Sequence, residues 1–194
     1  MVHEISHGAV ALRLGDDTAK RAGRLTLNPL KHLDPFGSVI LPIILVLIQS
    51  PFLIGWAKPV PYNPHNLKDP KKGAGIIGAA GPISNLLIAI IFGIVLRLLV
   101  AFSVITIASQ LTELLSLIIF INIILAIFNL LPLPPLDGAN VLFALLPYKY
   151  RGVQTFLQRY GIFILILFIG YGFRLLYPVI TALYGIIAGG GSIF

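Results

Sequence analysis

Long apolar runs separated by short polar segments set the layout of this chain. Residues 73–102 and 111–131 each exceed the roughly 18 apolar residues that mark a bilayer-spanning helix. Residues 36–57 are also apolar, but Pro42 and Pro51 interrupt them and Gln49-Ser50 separates two halves, so they form either one kinked span or a re-entrant hairpin. From Ile162 onward the chain is apolar again, broken at Pro178 and ending in a Gly189-Gly190-Gly191 tail. Residues 3–14 read as the end of a helix stopped by Gly15-Asp16-Asp17. The alternation Arg24-Leu25-Thr26-Leu27, just before Asn28-Pro29, predicts a short strand. Pro132, Pro134 and Pro135 force residues 132–138 out of helix, residues 138–146 form a short helix, and residues 148–160 an amphipathic surface segment. The predicted fold is an all-α polytopic membrane bundle with a short membrane-associated β segment near residues 23–28, in a single domain over residues 1–194.

Composition agrees: 57% of residues are hydrophobic and 11% charged, where soluble domains carry about 25% charged residues. The formal charge of +7 is no nucleic-acid signal, because the Lys and Arg residues sit in loops beside apolar spans, where they face the cytoplasm and anionic head groups. With no cysteine, disulfides and thiolate ligands are excluded. Lys58, Lys68, Lys71 and Lys72 in the loop 56–72, and Lys149, Arg151 and Arg159 in 148–160, contrast with the lone Glu113 in 103–113. If both basic segments are cytoplasmic, helix 73–102 runs outward and helix 111–131 returns, bringing residues 132–138 to the cytoplasmic end. Residues 13–31 are basic too, which favours the hairpin for 36–57. Only Met1 and Val2 precede the helix 3–14, so the first transmembrane helix is expected to be truncated at its N-terminus.

The candidate chemistry begins at His3-Glu4-Ile5-Ser6-His7. A helix turns about 100° and rises about 1.5 Å per residue, so histidines four apart share one face roughly 6 Å apart along the axis. That spacing suits two imidazoles on one Zn²⁺, with Glu4 against the open position to take a proton from bound water. The plainer alternative is a pair of partly buried histidines at a helix end. A third ligand is needed, and Asp137, in the unwound stretch after a span, is the best candidate, since a carboxylate at membrane depth needs a positive partner. The alternative there is an ordinary N-cap for the following helix. In Gly81-Pro82-Ile83-Ser84-Asn85, the small residues admit another backbone and Asn85 is an amide that needs a partner. Asn85 could hold a substrate backbone or an oxyanion, or serve as a helix-packing contact.

Three motifs in this order, His3-Glu4-Ile5-Ser6-His7-Gly8, Gly81-Pro82-x-x-Asn85 and Asn129-x-x-Pro132-x-Pro134-x-Leu136-Asp137-Gly138, resemble the site-2 protease family of intramembrane zinc metalloproteases, peptidase family M50. The segments Gly23–Gly37 and Trp56-Ala57-Lys58-Pro59-Val60-Pro61 look like its small prokaryotic branch without PDZ or CBS domains. The resemblance implies His3, His7 and Asp137 as zinc ligands, Glu4 as general base, and Asn85 and Asn129 near the catalytic centre as substrate-binding residues. It also implies a multi-pass protein of the cell membrane, an active site near the cytoplasmic face, and transmembrane proteins or peptides as substrates. The competing class is a catalytically inactive membrane homologue or a metal-binding transporter. A transporter would place charges along a pathway, and the main candidates, Arg97 and Arg174, lie near helix ends where Arg can snorkel.

Overall fold

The computed structural model describes residues 1–50, 55, 57–106 and 109–189. Eight α-helices carry these described residues: α1 (Val2–Arg13), α2 (Thr18–Arg21), α3 (Leu41–Leu47), α4 (Pro70–Ala101), α5 (Gln110–Asn129), α6 (Asp137–Leu145), α7 (Arg151–Leu167) and α8 (Phe173–Tyr184). Among the described residues, three stretches are long and apolar enough to cross a membrane: α4, α5, and the continuous helical run Tyr148–Gly172 that contains α7.

The central helix is α4. Asp69 caps it by accepting from the Lys72 amide at 3.0 Å, and Pro70 occupies the first turn, where no amide is needed. Its 32 residues rise about 48 Å. One face is buried and built of small residues, among them Gly75, Gly78, Gly81, Asn85 and Ala89. The opposite face exposes Ile83, Leu87, Ile91, Ile94 and Leu98 at helical spacing, as lipid contact requires. A short connection returns the chain into α5, capped by Ser109 on the Thr112 amide. Ala89 and Leu96 of α4, Leu115, Ile119 and Ile123 of α5, and Ile180 and Tyr184 of α8 form the main core. A second cluster, Ala11, Leu67 and Ile77, joins α1 to α4.

The β segment expected near residues 23–28 is not there; no β-strand occurs among the described residues. The reason is that its backbone groups are satisfied locally. Arg24 N donates to Ala19 O at 3.0 Å, Asn28 N donates to Thr26 Oγ1 at 3.2 Å, and the Thr26 carbonyl pairs with His32 Nε2 at 2.8 Å. Gly23 turns the chain with φ +64°, and no second strand lies alongside among the described residues.

An isolated antiparallel bridge, Leu33 with Ala57, and the bond Lys58 N to His32 O at 2.9 Å instead pair the two ends of the apolar segment 36–57. Its helical part, Pro35–Leu47, is only 13 residues, about 20 Å. The residues flanking the segment thus lie side by side. Pro51, Trp56 and the tail 190–194 lie outside the described residues. Residues 148–160 are not a separate surface segment: they are the first half of the run Tyr148–Gly172, which passes through Gly161 without a break. Pro178 likewise sits inside α8.

Candidate metal centre

Histidines 3 and 7 occupy successive turns of α1, and their rings meet edge to face with centroids 4.7 Å apart. The two Nε2 atoms are 3.1 Å apart. Asp137 begins α6, and its Oδ2 lies 3.0 Å from His3 Nε2 and 3.3 Å from His7 Nε2. The residue in the cap position is Leu136, and Asp137 makes no capping bond, so the carboxylate serves the histidines rather than its own helix. Among the described residues this is the cluster of ligating side chains able to hold a metal ion.

The donor set fits a divalent cation on two grounds. Asp137 Oδ2 is buried and has no hydrogen-bond partner, an orphaned acceptor that is costly unless something positive meets it. Tetrahedral Zn²⁺ with bonds near 2.0–2.1 Å places its ligand atoms about 3.3 Å from one another. The three separations here, 3.0, 3.1 and 3.3 Å, describe one face of such a tetrahedron. Three protein ligands leave the fourth position for water or substrate.

Two outer contacts orient the rings. His7 Nδ1 is 2.6 Å from the Ile77 carbonyl, which can only accept, so His7 carries its proton on Nδ1 and presents a lone pair on Nε2. Asn85, 3% exposed, places its side-chain Nδ2 3.2 Å from His3 Nδ1. A metal-competent His3 donates from Nδ1, so Asn85 must turn its oxygen to the ring. The contact joins α4 to α1, as the helix-packing reading of Asn85 expects.

Glycines in α4 make the convergence possible. A Cβ on Gly81 would fall 2.5 Å from both His3 Cε1 and His7 Nε2. One on Gly78 would fall 2.8 Å from the Asp137 carbonyl, and one on Gly138 would strike the Leu130 carbonyl. The stripe admits α1 on one side and α6 on the other.

Glu4 is held across the chain: one carboxylate oxygen accepts from the Val60 amide at 3.1 Å. The loop bearing Val60 is tied down by Asp16, which is 0% exposed. Asp16 accepts from Asn63 N and Asn66 Nδ2, both at 2.7 Å, and from Thr18 N at 3.1 Å. Burial alone would raise its pKa; the bonds from Thr18, Asn66 and Asn63 outweigh that and hold the carboxyl below its ordinary range. Tyr62, from the same loop, packs against Ala11, Leu67 and Ile77. Its hydroxyl is pushed up by burial and then by the Asp137 carboxylate nearby. Val60, Tyr62 and Asp16 escape sequence reasoning, because nothing local marks Asp16 as more than a helix stop. Asn129 does not join the cluster; its amide donates back to Leu125 O at 2.9 Å. His32 also lies outside it, bonded to Thr26 O.

A family model for peptidase family M50 matches residues 100–168, the stretch that carries Asp137. The chain is 41% identical over 186 residues to the Bacillus subtilis (strain 168) protein named "Putative zinc metalloprotease YwhC", covering 93% of this chain and 81% of that one. The chain belongs to peptidase family M50. This makes it a zinc metalloprotease by family and agrees with the resemblance to site-2 proteases. Other M50-like relatives are the proteins named "Putative zinc metalloprotease Rip2" of Mycolicibacterium smegmatis, 33% identical over 73% of this chain, and of Mycobacterium tuberculosis H37Rv, 30% identical over 87%. The chain spans 51% and 62% of their lengths. No solved structure matches.

Proposed function

We propose that this M50 protein is an intramembrane endopeptidase in which His3, His7 and Asp137 hold Zn²⁺ and Glu4 is the general base. The observation that carries the reading is the convergence of two imidazole nitrogens and one orphaned carboxylate oxygen within 3.0–3.3 Å. Bound there, the cation would polarise a peptide carbonyl and acidify water. Glu4 follows His3 on α1, and the Val60 amide fixes one of its oxygens. The other oxygen takes the proton from water and hands it to the leaving amine. Asn85 and Ile77 keep the two rings turned toward the shared point.

The proposed substrates are transmembrane segments, a reading supported by α4, α5 and the run Tyr148–Gly172, which are long and apolar enough to cross a bilayer. A helical substrate must unwind before its carbonyl reaches the site, so Gly or Pro near the scissile bond accelerates cleavage. The basic loops at the ends of α4 and α7 support a cytoplasmic placement of the site.

The test uses purified full chain in detergent with a labelled transmembrane peptide and a parallel measurement of bound zinc. Glu4→Gln keeps stoichiometric zinc and loses cleavage by about 10²-fold or more, on the order of one general base. His3→Ala and Asp137→Ala lose both. Stoichiometric zinc in both of these variants refutes the ligand set. Cleavage that survives a chelator refutes the metalloprotease mechanism.

A further inference from the structure

Away from the metal centre, a cleft of about 670 Å³ opens between the start of α4, α6 and the start of α7. Pro134, Pro135 and Phe143 give it apolar wall, and Lys71, Arg151 and Gln158 give it polar wall. Among the described residues no Asp or Glu lines it. Two cations gather on one ring there: Lys71 Nζ is 4.7 Å and Arg151 Cζ 5.2 Å from the centroid of Tyr148. Lys71 also donates to the Leu146 carbonyl. Among the described residues neither cation reaches a carboxylate. The neighbouring Asp69 pairs with Lys72 at 3.8 Å, and Asp137 faces the histidines. Two like charges held at one ring repel each other, and an anion between them relieves that.

The location supplies the chemistry of the anion. The cleft lies where two membrane spans begin, Pro70–Ala101 and Tyr148–Gly172. Tyr148 and Tyr150 are exposed there, as aromatic side chains are at a bilayer interface. We infer that this cleft binds the phosphodiester headgroup of an anionic phospholipid, with Lys71 and Arg151 on the phosphate and the acyl chains leaving along the apolar wall into the bilayer. A zwitterionic lipid fits less well, because its ammonium group would add a third cation.

Native mass spectrometry of the delipidated full chain, offered equal phosphatidylglycerol and phosphatidylcholine, tests this without reference to zinc or cleavage. Each basic residue near an anionic lipid contributes about fivefold in affinity. Wild type should therefore retain phosphatidylglycerol at least fivefold over phosphatidylcholine, and Lys71→Gln/Arg151→Gln should bring the ratio to about one. Lys20→Gln/Lys31→Gln, which removes two cations outside the cleft, keeps the wild-type ratio. Thermal unfolding in detergent shows that each variant is folded, and the single variant Arg151→Gln, which leaves the Lys71 contacts intact, should give an intermediate ratio. Equal retention of the two lipids by wild type, or an unchanged ratio in the cleft variants, overturns the inference. So does full displacement of lipid by submillimolar inorganic phosphate, which would make this a site for a soluble phosphate.

Discussion

Gly81→Ala separates the metal centre from the fold that carries it. The added Cβ would sit 2.5 Å from His3 Cε1 and from His7 Nε2. Reaching ordinary contact at 3.4 Å requires the rings to recede by about 0.9 Å. They are pinned from behind, His7 by the Ile77 carbonyl at 2.6 Å and His3 by Asn85 at 3.2 Å, so receding breaks those bonds. A metal site tolerates ligand displacements of only about 0.2 Å. Zinc affinity should fall by on the order of 100-fold, about 3 kcal/mol. The fold should barely notice. Overpacking costs about 1–3 kcal/mol, and alanine recovers about 1 kcal/mol over glycine inside a helix. Net destabilisation is then roughly 0–2 kcal/mol, or a few degrees of melting temperature. Zinc content at buffered free metal, thermal unfolding of the chelator-stripped protein and peptide cleavage are measured together, with Gly152→Ala as control. Gly152 is helical and a Cβ added there would meet nothing within 4 Å, so alanine should be neutral or stabilising. Wild-type zinc affinity in Gly81→Ala would refute the packing argument and with it the placement of α1 on α4.

The remaining expectations concern the supports of the site. Asn85→Ala should cost about 10- to 100-fold in zinc affinity, the usual loss when the partner of a ligating histidine is removed; an unchanged dissociation constant would return Asn85 to a packing role. Adding zinc at about 1,000 times its dissociation constant should stabilise the stripped wild type by about 4 kcal/mol and leave Asp137→Ala unmoved, as read by differential scanning fluorimetry. The folded-state pKa of Asp16 lies below its unfolded value, so its stabilising contribution is complete above the unfolded pKa, near 3.9, and disappears as pH falls through the lower folded value. Asp16→Asn should therefore flatten the acid limb of the stability curve, and a limb identical to wild type would show that the buried carboxylate contributes nothing there.

Legibility in the sequence follows the distance over which a residue's partners are specified. His3 and His7 were readable because helix spacing alone puts residues four apart on one face, with Glu4 adjacent in sequence. Asp137 by itself read equally as an ordinary N-cap, and only its pairing with the histidine motif favoured a ligand. The alternation at residues 24–27 misled because alternation describes one strand and a sheet needs two; the Thr26 carbonyl is taken by His32 instead. The amphipathic start of Tyr148–Gly172 looked like a surface helix because its charges lie in the first turns, whereas Gly161 continues the helix packed against Pro134. Leu33 meets Ala57, a pairing that no window of sequence contains. Asp16 is the sharpest case: its partners Asn63 and Asn66 lie about fifty positions away, so its role could not be seen beside Gly15 and Asp17.

These long-range contacts explain how α1 keeps its candidate ligands in place. The two histidines of α1 are held in a metal-ready geometry by contacts from other elements. The support comes from both sides. The small face of α4 lets Gly81 lie against the rings and Gly78 against the backbone of α6, which brings Asp137 in from the far side. The loop fixed by Asp16 reaches over α1 to hold Glu4 through Val60. A bulky residue in the α4 stripe should therefore damage the ligand geometry, while a cut in the Asp16 network should loosen Glu4, the proposed base, and the two kinds of variant should differ in zinc content though both lose cleavage.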